Sequence, residues 1–148
     1  MEVRVGTSLL IVRNKRVLAG KRQGSHAANL YSFPGGHLDW NESWEDCVER
    51  EKNEECGEGL KIQLRKFSEY RPEFFVTNDI MPQYDKHYIT IFMVADWVEG
   101  DPVNMEPHKC EGWDWYNFDE LKKLCENQQC ADWIQMGLIE AYRTEIGL

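Results

Sequence analysis

Hydrophobic and polar positions alternate weakly from residue 3 and then run continuously apolar through Leu9 to Val12, the pattern of a central strand. Asn14-Lys15 marks a turn, and residues 17–21 predict the returning strand, ending at Lys21 and Arg22. Residues 23–29 predict a loop. Residues 30–33 form a short apolar segment that leads into Pro34-Gly35-Gly36, where two glycines permit a tight turn and close backbone approach to a ligand. Residues 44–56 carry the helical period. Ser43 is the expected N-cap, Glu45 and Asp46 fall in the first turn, and Gly57 and Gly59 stop the helix.

Beyond the helix, residues 61–70 alternate with Ile62, Leu64 and Phe67 inward and predict a bulged strand. Residues 74–76 predict a further short strand, and 78–85, with Asp79, Pro82 and Gln83, a loop. Residues 87–97 are β-branched and aromatic and predict a long strand. Residues 99–109 predict a polar loop and 113–116 a short aromatic strand. Residues 118–125 and 131–142 have helical periodicity, the second through Ile134, Leu138, Ile139 and Tyr142. There is no internal repeat, low-complexity tract or linker. Strands on both sides of one central helix, with helices at the end, predict a mixed α/β sandwich forming a single domain over 1–148.

At about 100° per residue, Trp44, Cys47 and Val48 share one face of the 44–56 helix, and Glu51 and Glu55 continue that face. Glu45, Asp46 and Glu49 are expected in solvent, and Glu54 on the flank. Carboxylates held about 4 Å apart repel by about 4 kcal/mol at an effective dielectric of about 20. Either one takes up a proton or a cation sits among them. Oxygen donors alone suit Mg²⁺ first and Mn²⁺ second. The competing account is an acid-rich helix with two glutamates at the edge of a core. Lys21 and Arg22 at a strand end suit a polyphosphate equally well as solvent.

The net charge of −9 argues against binding a nucleic acid polymer along its backbone. It also sets a problem for a phosphate substrate, which a bound cation resolves by inverting the local field. The longest apolar run is too short to span a bilayer, and the N-terminus lacks a signal-peptide pattern, so no membrane association is expected. The five cysteines, Cys47, Cys56, Cys110, Cys125 and Cys130, are odd in number and without CxxC spacing, which suits reduced thiols in a cytoplasmic protein.

Gly36, five residues, Glu42, seven residues, Arg50-Glu51, two residues, Glu54-Glu55, one residue and Gly57 form a pattern that resembles the Nudix box. Lys52 and Glu58 stand where that family has apolar residues, and Gly59-Leu60 is expected to supply the missing contact. Gly35-Gly36-His37-Leu38 with Glu42-Ser43-Trp44-Glu45, His87-Tyr88-Ile89-Thr90 and residues 104–115 resemble the Nudix branch of eukaryotic nucleotide triphosphate diphosphatases, which act on dGTP and on oxidised and thiopurine nucleotides. The resemblance implies an α/β/α sandwich with the box helix packed on a mixed sheet. It implies Mg²⁺-dependent hydrolysis of a purine nucleoside triphosphate, dGTP or 8-oxo-dGTP, to a monophosphate and pyrophosphate, often by a homodimer.

The same resemblance implies that Glu51 and Glu55 are the firmest metal ligands, that Glu54 and the Gly36 carbonyl are further ligands, and that Glu54 or Glu55 takes the proton from water. Arg50 is implied to orient the carboxylates, with Glu42, and Arg22 to contact phosphate. Glu111 is either a further carboxylate near the metal or a solvated loop acid. His87 and Thr90 line the pocket or belong to the strand core. Trp113 and Trp115 are expected on opposite faces of their strand, one stacking on a base and the other in the core. No Asn or Asp is required to face the base, so weak, shape-based selection of about 1–3 kcal/mol is expected, with guanine first. Two other readings stand beside this one. The substrate is an isoprenyl diphosphate or a pteridine triphosphate, or the domain senses nucleotides without hydrolysis. The last reading fits poorly with the retained glutamates.

Overall fold

The computed structural model describes residues 1–24, 30–126 and 133–148. Its strands are β1 (Val3–Arg13), β2 (Arg16–Arg22), β3 (Tyr31–Ser32), β4 (Gly35–His37), β5 (Lys61–Leu64), β6 (Lys66–Ser68), β7 (Arg71–Pro72), β8 (Phe74–Met81), β9 (Lys86–Glu99) and β10 (Cys110–Tyr116). The helices are α1 (Trp44–Cys56), α2 (Phe118–Glu126), α3 (Trp133–Ala141) and the short α4 (Arg143–Ile146).

The apolar run of residues 9–12 is buried because β1 is covered on both faces. The main sheet runs β10-β2-β1-β9-β5, with β3 on β2, β4 on β1 and β8 on β9. β1 and β9 pair in parallel from Val3↔His87 to Val12↔Asp96, and the other pairings are antiparallel. Period two then sorts the core. Leu10, Val12, Val17, Ala19, Phe92 and Val94 pack against Phe118, Leu121, Met136, Ile139 and Ile146 from α2 to α4. Leu9, Ile11, Leu18, Ile91, Met93 and Ala95 pack against Val48 and Cys56 of α1 and against Leu60. The result is the expected mixed sheet between helices.

The 44–56 helix has the bounds its sequence predicts, with Ser43 Oγ accepting from Asp46 N and Gly57 at the C-cap with φ 88°. Asp46 is exposed, whereas Glu45 and Glu49 are half-buried rather than free in solvent. Lys52 is fully buried, and its Nζ donates to Leu60 O at 2.8 Å and Gly57 O at 3.4 Å. Its aliphatic stem thus fills an apolar position while the ammonium ties the end of α1 to carbonyls of the segment that follows it. Leu60 is fully buried and makes the apolar contact expected of residues 59–60.

Four expectations change. The strand expected over 61–70 ends at Leu64, and β6 and β7 form a separate two-stranded ribbon that leaves Phe67 65% exposed rather than inward. The loop expected over 78–85 is strand as far as Met81, registered to Met81↔Lys86, and only then turns through Pro82–Tyr84. Along β8 the buried positions include polar Thr77 and Asp79 and the exposed ones include Val76 and Ile80, so hydropathy reads in the inverted sense. The helix expected over 131–142 is described from Trp133 and breaks at Tyr142 into α4. Residues 131–132, the side chain of Ile134 and most of the 23–29 loop lie outside the described residues. Trp113 and Trp115, two apart, share a face and both pack on the core beneath α1, which corrects their assignment to opposite faces.

Cys47, Cys56 and Cys110 are buried free thiols, and burial pushes Cys47 up to about 11 and raises the other two. Among the described residues, no helix is long and apolar enough to cross a membrane.

Lys52→Ala is expected to lose about 1–3 kcal/mol of stability, because the Gly57 and Leu60 carbonyls lose their buried donor. Lys52→Met, which keeps the packing, should lose less. Urea denaturation of both variants checks this, and an unchanged midpoint for the alanine variant would refute the donor role.

Candidate active site

Gly35 and Gly36 set the floor of the site. β4 pairs with β1 through Ser8↔Gly35, Thr7↔Gly36 and Gly6↔His37. A Cβ at Gly35 would overlap Thr7 O, and one at Gly36 would overlap the Glu51 carboxyl. Glycine at 35 therefore lets β4 lie close against β1, and glycine at 36 lets the Glu51 carboxyl lie directly against backbone. Gly35 N donates to Glu55 Oε2 at 3.0 Å, and Thr7 Oγ1 donates to Gly36 O at 3.3 Å.

Arg50 gathers the acids. Its Nε and Nη2 donate to Glu42 Oε2 at 2.8 Å and Oε1 at 3.1 Å, a bidentate pair. Its Nη1 donates to Glu51 Oε1 at 2.8 Å and lies 3.5 Å from Glu54, and its Nη2 reaches His37 O at 3.1 Å. The Arg50 hydrogen bonds, with the Asp39 N–H, hold Glu42 down to about 2. Glu51 is raised, because burial outweighs its bond to Arg50. Glu55 is pushed up to about 8 by burial, opposed by the Gly35 N–H and reinforced by Glu51 and Glu106.

Glu106 arrives from the loop after β9. Val103 N donates to Cys56 O at 2.9 Å and Met105 N to Glu55 O at 3.2 Å, which ties that loop to the C-terminal end of α1. Trp113 Nε1 also donates to Glu55 O, at 3.1 Å. These elements enclose a cleft of about 730 Å³.

Of the residues singled out in the sequence, Gly36, Glu51, Glu54, Glu55, Arg22, Thr90 and Trp113 line this cleft. Arg50 and Glu42 stand behind it as supports. His87 does not line it. The alternation of β9 turns Lys86, Tyr88 and Thr90 toward the cleft and His87 away, where it meets Asn78 Oδ1 at 2.5 Å. Glu111 does not line it either, and its carboxylate pairs with Lys21 at 3.5 Å. The sequence reading missed Glu106, Asp79, Lys86, Tyr88 and His108, all of which line the cleft. Period two along β9 was the signal available for Tyr88. Glu106 lies in a loop and had none.

Among the described residues, no three Asp, Glu, His or Cys side chains converge as a ready-made metal cage. The Arg50 guanidinium stands among Glu42, Glu51 and Glu54 instead. The donor set still suits a hard divalent cation. Every donor is oxygen, the raised Glu51 and Glu55 carry charge that burial disfavours, and the Glu51 carboxyl packs on Gly36. Such a cation would take its remaining ligands from Gly36 O, water and substrate.

A sequence model of the NUDIX domain matches residues 2–135. The chain is 30% identical to a MutT NUDIX hydrolase from Burkholderia pseudomallei, over 81% of this chain and 87% of that one, with a TM-score of 0.68. A NUDIX hydrolase from Nitrosomonas europaea shares the fold at 18% identity, over 99% of this chain and 92% of that one, with a TM-score of 0.78. A MutT protein from Methanosarcina mazei Go1 shares it at 19% identity, over 97% and 94%, with a TM-score of 0.72.

The raised Glu55 sets a pH dependence for the metal-free protein. Its folded value of about 8 lies above the ordinary 4.5, so its contribution is fully present below 4.5 and is lost as pH rises to about 8. Within that window the loss is at most about 1.4 kcal/mol per pH unit. Glu55→Gln should therefore gain on wild type as pH rises and level off above pH 8. Urea denaturation in chelator at several pH values measures the difference, and a pH-independent difference would refute the buried carboxylate.

Proposed function

The chain belongs to the Nudix family and is a hydrolase of phosphoric anhydrides, and from that premise we propose that it hydrolyses purine nucleoside triphosphates, dGTP and 8-oxo-dGTP among them, to a monophosphate and pyrophosphate with Mg²⁺ or Mn²⁺. This places it with the nucleotide triphosphate diphosphatases of the family. The observation that carries the reading is one cleft that joins the acid cluster of α1 to Arg22 and to polar and aromatic side chains of β8 and β9.

In this reading Glu51, Glu54, Glu55 and Gly36 O hold the cation. Glu106 supplies the further carboxylate in place of Glu111. Arg50, clamped by Glu42, keeps Glu51 and Glu54 oriented. Arg22 meets the phosphates as a charged donor. Trp113, its N–H committed to Glu55 O, serves as a wall beside them. When bound, the divalent ion draws charge from the phosphoryl oxygens and acidifies water. Glu54, on the exposed flank, or Glu55, held by the Gly35 N–H, takes the proton as the water oxygen bonds to phosphorus. The anhydride P–O bond then breaks and pyrophosphate leaves. An isoprenyl tail fits less well, because the buried Asp79 lining the cleft would offer it a polar group with nothing to pair with.

A panel of dGTP, 8-oxo-dGTP, dCTP and geranyl diphosphate, each with and without Mg²⁺, tests the proposal. The purine triphosphates are expected to turn over fastest, only with metal. Glu51→Gln and Glu55→Gln should lose about 100-fold or more while remaining folded. Mg²⁺ should raise the wild-type Tm, and chelator should reverse it. Fastest turnover of geranyl diphosphate would overturn the substrate class, and wild-type rates in either variant would overturn the metal assignment.

A further inference from the structure

The inverted alternation of β8 places a carboxylate where the sequence suggests none. Asp79 is 1% exposed and lines the cleft beside Thr90, which is also buried. Thr90 Oγ1 donates to Asp79 Oδ2 at 2.6 Å. That bond fixes the carboxylate plane. Tyr88, which Asp79 faces across the β8–β9 ladder, stacks on His37 at 5.5 Å and is fixed there by a hydrogen bond of 2.8 Å between its hydroxyl and His37 Nε2.

The distance from the acid cluster matters. From Gly36 on β4 the sheet steps through β1 and β9 to β8. Three strand spacings amount to about 14 Å. This is the scale of a nucleotide lying across the sheet, with phosphates at the α1 end and base at the β8 end.

We propose that Asp79 selects the substrate by accepting two adjacent N–H hydrogens from a 2-amino-lactam edge, the edge that guanine and pterins share, and that Thr90 is its positioning residue. This rests on the hydrolase reading above and deepens it. Guanine presents its ring N1–H and its 2-amino group side by side, matching the two oxygens of a carboxylate. Adenine and cytosine present a ring-nitrogen lone pair on the corresponding edge, which a carboxylate repels. A buried hydrogen-bonding site discriminates far more strongly than shape does, by up to about 10⁴–10⁵-fold against an analogue that leaves it unpaired. The weak selection expected from sequence is thereby replaced by strong selection at one edge. O6 and C8 of the purine are not read by Asp79, so oxidised or thio-substituted guanines remain substrates while loss of the 2-amino group is penalised.

The test measures kcat/KM with Mg²⁺ for dGTP, dITP, dATP and a dihydropterin triphosphate in wild type, Asp79→Asn, Thr90→Val and Thr90→Ser. The readout is the ratio between substrates, which does not depend on the fraction of folded protein. Binding of GMP and AMP in chelator gives a second ratio, free of turnover. Wild type should favour dGTP over dITP by at least about 10-fold and over dATP by more. Asp79→Asn should collapse both ratios toward one, Thr90→Val should reduce them, and Thr90→Ser should restore them. Unchanged ratios in Asp79→Asn, with wild type active on nucleotides, would overturn this inference alone. A dihydropterin triphosphate turning over fastest, with the same sensitivity to Asp79→Asn, would support it and overturn the nucleotide reading. No turnover of any of the four substrates would overturn the hydrolase reading, and a GMP-to-AMP binding ratio unchanged in Asp79→Asn would then overturn this inference as well.

Discussion

Like charges packed against a backbone turn need a counter-charge, and the site depends on how Arg50 provides it. One guanidinium binds Glu42 bidentately, Glu51 directly and the His37 carbonyl, and lies within 3.5 Å of Glu54. It thereby fastens α1 to the turn after β4 and gathers several acids around one guanidinium. Glu55 lies beyond its reach, held by a backbone N–H instead, and is the carboxylate that burial raises most clearly. A cleft built this way favours a second positive charge over a further proton only when that charge can approach several oxygens at once.

That arrangement follows from an amphipathic helix whose inward stripe changes character along its length. Cys47 and Val48 belong to the core, and one turn later the stripe becomes Glu51 and then Glu55. Next to Glu51, Lys52 is buried as well, its ammonium turned to the carbonyls of Gly57 and Leu60 after the helix. Gly36 of β4 completes the fit from the other side by lacking the Cβ that would displace Glu51.

The elements with strong periodicity were legible before the structure. β1, β2, β9 and α1 lie where their patterns predict, and the stripe of carboxylates was visible from 3.6-residue spacing alone. What was hidden followed other rules. β8 pairs with β9, and its polar residues face the cleft while its apolar residues face water, so its pattern reads as a loop. Phe67 lies on a ribbon outside the main sheet, where alternation does not report a core. Sequence points to Glu111 as the further carboxylate and gives no signal for Glu106. Only the backbone bonds that fold the loop onto α1 bring Glu106 to the cleft, while Glu111 pairs with Lys21. His87 could have been set aside from strand parity, since Tyr88 and Thr90 occupy the other face.

The central claim is that the buried acids of α1 form a site for a divalent cation. Titration of Mn²⁺ into the chelator-treated protein, followed by the loss of the free-ion electron paramagnetic resonance signal, tests it without any assumption about substrate. The account predicts binding by wild type and by Glu111→Gln with similar affinity, and binding at least about 10-fold weaker in Glu51→Gln and Glu55→Gln. Undiminished binding in both Glu51→Gln and Glu55→Gln, or loss of binding in Glu111→Gln alone, would contradict it.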